Sequence, residues 1–105
     1  MNISKGDIEF IENILMPKFR IKKLGIKYSS SKRKWPDIWI SMNQVPIITV
    51  TQEWARQTMQ ERHKRLVHEA LHIRGMEHDE SIGYSTYPSR DSYSMRVYRR
   101  IIGTF

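Results

Sequence analysis

The chain has 105 residues and no cysteine, and 39% of its residues are hydrophobic; 18 Lys and Arg against 11 Asp and Glu give a formal charge of +7. That is the length of a single domain, residues 1–105, which can bury a core without staples but has no room for a second module. The absence of cysteine excludes a disulfide framework and a thiolate metal site. No apolar run approaches the roughly 18 residues of a membrane span, and the early acids Asp7, Glu9 and Glu12 do not fit a signal peptide. The expectation is a cytoplasmic domain with no membrane partner.

In chain order, residues 4 to 16 predict a first helix. Ser4 and Asp7 can form a capping box, Ile8, Ile11 and Leu15 make one apolar stripe, and Pro17 marks the stop. Its expected role is to back a sheet. Arg20 to Tyr28 reads as a strand interrupted near Gly25, and Ser29 to Lys34 as a polar loop. From Asn13 through Pro36 there is no acidic residue, while Lys18, Arg20, Lys22, Lys23, Lys27, Lys32, Arg33 and Lys34 are basic. Such a run is either the solvated face of a hairpin and its loop or a contact for phosphate backbones or acidic protein segments. Tyr28, Trp35 and Trp39 nearby can stack on bases or pack against a helix.

Asp37 to Met42 alternates, with Ile38, Ile40 and Met42 on one face, and predicts a half-buried strand. Asn43 to Pro46 makes a turn, and the β-branched run Ile47 to Thr51 predicts a third strand. Thr58 and Glu61 can form a second capping box, opening a helix that runs to about Arg74. Leu66, Val67, Ala70, Leu71 and Ile73 supply its apolar arc, with His68 and His72 at the margin. His63 points elsewhere and reads as a surface residue or a support for a ligand. Asp79 to Arg90 is a loop long enough to wall a cleft. Residues 91 to 102 read as a C-terminal helix, with Tyr93, Val97 and Ile101 at i, i+4 and i+8. The fold class is therefore α+β, a small three-stranded sheet with a backing helix, a central helix and a C-terminal helix.

The chemistry concentrates in His68-Glu69-Ala70-Leu71-His72-Ile73-Arg74-Gly75-Met76-Glu77-His78. On a helix, His68 and His72 lie about 40° apart in azimuth and one turn apart in height, so both imidazoles can reach one cation. A helix cannot bring a third ligand six residues further on to the same point. The chain must turn, and Gly75 can take φ > 0 at the helix end so that His78 folds back. Glu69, beside the first ligand, is placed to act on a water rather than on the metal. The bland alternative is an amphipathic helix whose histidines merely border the core.

The motif resembles the zincin metallopeptidases and, within them, the metzincin signature, matched at His68, Glu69, His72, Gly75 and His78. The resemblance implies one Zn²⁺ per chain held by His68, His72 and His78, with Glu69 as general base and a peptide or unfolded protein as substrate. It also implies a methionine turn beneath the metal. Ser94-Met95 stands where such a turn would fall, although Met95 equally suits the helix pattern. By resemblance an oxyanion donor follows that turn, with Tyr98 nearest and Tyr84 and Tyr87 as rivals. Asp79 is placed either to orient a ligand imidazole or to sit solvated in the loop. The strand at the rim of a zincin cleft receives substrate as an added antiparallel strand; Ile47 to Thr51 is the segment assigned to that rim, with a plain core or edge strand as the alternative.

In size the chain is similar instead to the minimal zincins of the minigluzincin and selecase kind, whose third ligand is a downstream glutamate; Glu77 and Glu80 stand as second choices to His78. A weaker resemblance runs to the YbeY-type endoribonucleases, which share the positions of His68, His72, Gly75 and His78. This chain departs from them at Glu69, where they carry glycine, and at Glu77, where they carry aspartate. The expected activity is thus zinc-dependent peptide hydrolysis, with metal-dependent RNA cleavage and a catalytically silent zinc or nucleic-acid binding module as alternatives. The tail from Arg96 to Phe105 is long enough to cover so small a cleft and keep it latent.

Overall fold

A computed structural model describes residues 3–32, 36–75 and 93–103. These form an α+β structure around a three-stranded mixed sheet. The first helical segment starts as the sequence predicts: Ser4 is the N-cap of α1 (Lys5–Phe10) and accepts from the Asp7 N–H. It does not stop at Pro17. A π-helical turn, Ile11–Leu15, leads into α2 (Met16–Phe19) with Pro17 in its first turn. The wider i→i+5 pitch of the π turn spares the proline from the i−4 carbonyl it would otherwise strike. The segment ends at Arg20, in the left-handed region at φ 55. There the Ile21 N–H donates to Met16 O at 2.9 Å and the Arg20 N–H to Pro17 O at 3.3 Å, a Schellman closure.

That closure delays the first strand. It begins at Gly25 and not at Arg20, so β1 is Gly25–Ser29, followed by β2 (Ile38–Met42) and β3 (Pro46–Thr51). The order is β1-β3-β2, with β1 parallel and β2 antiparallel to β3. Gly25 pairs with Ile47, and a Cβ there would approach Ile47 Cγ1 to 3.1 Å, a close fit that favours glycine. β3 is the central strand and is paired on both sides, so it cannot be a rim that accepts substrate. Its Thr49 and Thr51 are buried along with Ile48 and Val50.

A short helix that the sequence pattern does not reveal, α3 (Gln52–Ala55), follows β3 directly. Thr51 is the reason: its hydroxyl donates to Asp37 O at 2.8 Å and accepts from the Trp54 N–H, tying the start of β2 to the cap of α3. The long helix α4 (Met59–Ile73) is capped by Thr58, which accepts from the Glu61 N–H. Trp54, 1% exposed, donates its indole N–H to Arg62 O and docks α3 on α4. The C-terminal helix α5 (Tyr93–Ile102) packs on α4. One core joins all of these, built from Phe10, Ile11 and Leu15, the sheet residues Ile38, Ile48 and Val50, and Leu66, Val67 and Ala70 of α4. No helix among the described residues is long and apolar enough to cross a membrane.

His63 lies inside, which corrects its reading as a surface residue. It is 6% exposed, stacks on Phe10 with ring centroids 4.1 Å apart, and its Nε2 lies 2.7 Å from Asp7 Oδ1. A carboxylate only accepts, so Nε2 carries the proton. Arg62 Nε donates to the same carboxylate at 3.0 Å and 3.2 Å. Burial works to raise the pKa of Asp7, but Arg62, Ser4 and His63 outweigh it and hold the carboxyl below its ordinary 3.8.

Asp7→Asn removes the charge that Arg62 pairs with and turns one of the two acceptor oxygens into an NH2 donor facing Arg62 and His63. We expect it to destabilise the protein by about 3 kcal/mol, the usual cost of breaking a buried ion pair. The stability that Asp7 contributes is complete above its unfolded value of 3.8 and is lost as the pH falls through its lower folded value. Thermal unfolding of parent and variant should therefore differ by more than about 10 °C near neutral pH and converge in strong acid; a constant gap across pH would contradict the assignment.

Candidate metal centre

The rotation of α4 decides what its polar residues face. His63, Leu66, Val67 and Ala70 fall at i, i+3, i+4 and i+7 and are all buried. Relative to the mid-line of that stripe, His68 and His72 are turned away by about 150° and 190° in one sense, and Glu69 by about 110° in the opposite sense. The two histidines are half-buried, whereas Glu69 is 5% exposed on the flank turned to β2. They lie opposite the core stripe and not at its edge.

The two imidazoles converge. His72 Nε2 lies 2.9 Å from His68 Nε2, with the rings nearly perpendicular at 79° and their centroids 4.6 Å apart. Two nitrogens on one tetrahedral zinc, each about 2.0 to 2.1 Å from it, stand about 3.3 to 3.4 Å apart. Opening the pair by roughly half an ångström, a small χ adjustment, brings them to that spacing. The donor set is of the borderline nitrogen type that zinc takes, so the residues fit the ion.

Glu69 stands in an acidic and largely water-free corner. Burial, and after it the charge of Asp37, push its carboxyl up to about 8. Asp37 immediately precedes β2 and is 3% exposed. Its own pKa is raised by burial, against the pull of Arg65. Arg65 Nε comes within 3.0 Å of Asp37 Oδ2 without the alignment of a hydrogen bond, and Asp37 Oδ1 is buried with no hydrogen-bond partner among the described residues. Arg65 and the buried Lys64 both reach the Glu61 carboxylate. Sequence reasoning missed Asp37 as a neighbour of Glu69, because nothing in the local pattern pairs the start of a strand with a helix 32 residues later.

The helix ends as the sequence predicts. Gly75 takes φ +98, and its N–H donates to His72 O at 2.9 Å. His78 lies beyond the described residues, as do Glu77, Asp79, Glu80, Tyr84 and Tyr87. Among the described residues no group of three or more His, Asp or Glu converges on one point, so the described chain contributes a two-histidine half-site. Met95 lies within α5, so the backbone there is the helical alternative and not a turn. Tyr98 is also displaced from its expected role. It is 3% exposed, its ring is 6.2 Å from that of Phe10, and burial raises its pKa. The amphipathic pattern of α5 puts it in the core beside the His63 end of α4, not in a cleft.

No protein-family model, curated protein or solved structure matches the chain.

Two measurements check this geometry. Purified protein should bind about one zinc per chain, and His72→Ala should lose it, because the substitution breaks the converging pair that chelates the ion; metal content unaffected by the substitution would remove the site. The second concerns metal-free protein. The folded value of Glu69, about 8, exceeds the ordinary 4.5, so the stability tied to its neutral form is complete below 4.5 and is lost as the pH rises through about 8. Glu69→Gln should accordingly raise the unfolding temperature at about pH 8 and change it little near pH 4.5, whereas equal shifts at both would show Glu69 to be exposed.

Proposed function

We propose that the chain is a zinc-dependent peptidase of the zincin type. The observation that carries the reading is the convergence of His68 and His72 Nε2 to 2.9 Å, with a buried carboxylate on the residue after the first histidine. A buried glutamate that serves only as packing is costly. One held at the water-poor edge of a metal site has a use. His78 is proposed as the third ligand, reached through the turn at Gly75.

Zinc, when bound, supplies a Lewis acid for the scissile carbonyl and lowers the pKa of water at its open position to about 7. Glu69 takes the proton from the attacking water and returns it to the leaving amine. A zinc ion held by the histidines would favour the ionised form of the Glu69 carboxyl, the form that task needs. Helix α4 holds the base and two ligands on one rigid rod, which fixes their spacing without relying on a loop.

The rim strand in this reading is β2. It is an edge of the sheet, antiparallel to β3, and its first residue is preceded by Asp37, the neighbour of Glu69. An extended peptide added along β2 would be recognised through main-chain hydrogen bonds, which tolerate many sequences. An unfolded protein is the substrate class this fits. The cytoplasm, where disulfides are rare and a chain without cysteine forgoes nothing, is the proposed compartment.

Glu69→Gln should retain zinc and lose at least about 10²-fold in the rate of casein cleavage, the scale of a general-base contribution. A fully active variant would exclude Glu69 as the base. The same preparations offered a structured RNA should leave it intact; RNA cleavage that depends on Glu69, with casein untouched, would move the reading to an endoribonuclease, and cleavage of neither to a silent zinc module.

A further inference from the structure

Charge on this molecule is separated by region. Residues 13 to 36 hold eight basic residues and no acid; the rest of the chain has 18 − 8 = 10 basic residues against 11 acids, a balance of −1. The whole formal charge of +7 therefore originates in one segment. Its six described cations, Lys18, Arg20, Lys22, Lys23, Lys27 and Lys32, are all exposed. The ion pairs of the described residues lie elsewhere, joining Asp7, Asp37, Glu53 and Glu61 to basic residues between 56 and 65.

The fold lays these cations out as a track. It starts on the last turn of α2, passes the left-handed Arg20 and the connection at Lys22 and Lys23, runs along edge strand β1 at Lys27, and continues to Lys32. β1 is the opposite edge of the sheet from β2, about 10 Å away at ordinary strand spacing. The track is thus separate from the proposed peptidase cleft. Guarding an edge strand against aggregation needs a lysine on the strand itself, and Lys27 provides it. The other five lie off the strand and have no such use.

We propose that this track binds the phosphate backbone of nucleic acid without reading sequence. Two features favour a phosphate polymer over an acidic protein or a lipid surface. Protein partners are held by buried apolar or aromatic anchors, and membranes by apolar insertion. The exposed large hydrophobic residues among the described ones are Met42, Met59 and Ile102, none of them on the track. Phosphate binding needs only Lys and Arg spread along a line, since release of condensed counterions drives it. The inference does not depend on the peptidase reading.

The test is fluorescence anisotropy of the full chain with a labelled DNA duplex of about 30 base pairs and with one of its strands, at about 50 and 200 mM NaCl. About five phosphate contacts predict a log–log salt slope near −4.5 on the duplex, hence an affinity loss of about 500-fold across that range. Lys22→Glu, Lys23→Glu and Lys27→Glu together should weaken binding about tenfold or more and flatten the slope by about three. Lys18→Gln with Lys32→Gln, which should flatten it by about two, serves if the triple reversal does not fold. Arg99→Glu with Arg100→Glu, exposed on α5, should leave binding in place. Absence of binding at the lower salt, indifference to the track substitutions, dependence on the α5 pair instead, or tighter binding of polyglutamate than of DNA would each overturn the proposal.

Discussion

Helix α4 cannot rotate about its axis without tearing the core, and the rest of the molecule depends on that constraint. His63, Leu66, Val67 and Ala70 bury as one stripe, so the azimuth of every other residue on the helix is set. A rotation by one residue, about 100°, would drive Arg65 into the place of Leu66 in one sense, or Lys64 into that of His63 and His68 into that of Val67 in the other. Locked in this way, α4 places His68 and His72 on the far side from the core and Glu69 on the flank toward β2. The same packing that stabilises the domain therefore aims its candidate chemistry. Core substitutions on this stripe act at a distance for that reason: a change that lets α4 roll moves both imidazoles and the carboxyl together.

Two buried charge clusters reinforce the lock from either side. Asp7 of α1 grips Arg62 and His63 near the start of α4, and Asp37, just ahead of β2, grips Arg65 one turn later. Buried ion pairs of this kind contribute little net stability, because desolvation offsets their attraction. Their geometry is selective, however. A helix shifted by one residue would not only lose its apolar burial but also leave both aspartates unpaired in the interior, which costs several kcal/mol each by ordinary desolvation estimates. Thr51 completes the frame by holding the Asp37 carbonyl from β3 while capping α3. The carboxylate neighbour of Glu69 is thereby tied to the central strand.

What could be read from the sequence divides along local and non-local lines. The caps at Ser4 and Thr58, the apolar arc of α4, the strand β2, the left-handed Gly75 and the helix from Tyr93 are written in neighbouring residues and appear as expected, although burial along β2 fades from Ile38 to the exposed Met42 and does not alternate. The centrality of β3 is not local, since it depends on two partners. Pro17 misleads because the compensation, a π turn, lies upstream of it. His63 was legible in principle: it falls on the apolar stripe three and four residues before Leu66 and Val67, and only its polarity argued otherwise. Its acceptor, Asp7, stands 56 residues away, where no periodicity can point. Of the candidate site, the pairing of His68 and His72 follows from helical geometry alone, while the acidic surroundings of Glu69 follow from topology and could not.

The two edges of the sheet are chemically unlike, and this bears on how one small domain can serve a cleft without aggregating. A free strand edge pairs with any extended chain unless something blocks it. β1 carries the exposed Lys27 and is flanked by the cationic connection at Lys22 and Lys23, so a chain added there would bring its backbone against a dense positive field. β2, Ile38-Trp39-Ile40-Ser41-Met42, has no charged residue, and its inner end abuts α4 beside Glu69. Among the described residues, strand addition is thus discouraged by charge at the edge remote from the candidate site and not at the edge beside it. An antiparallel edge lacking charge is a hazard in a protein with no use for it. Next to two converging histidines and a buried carboxylate, it suits the proposed role, in which an extended substrate would lie along it.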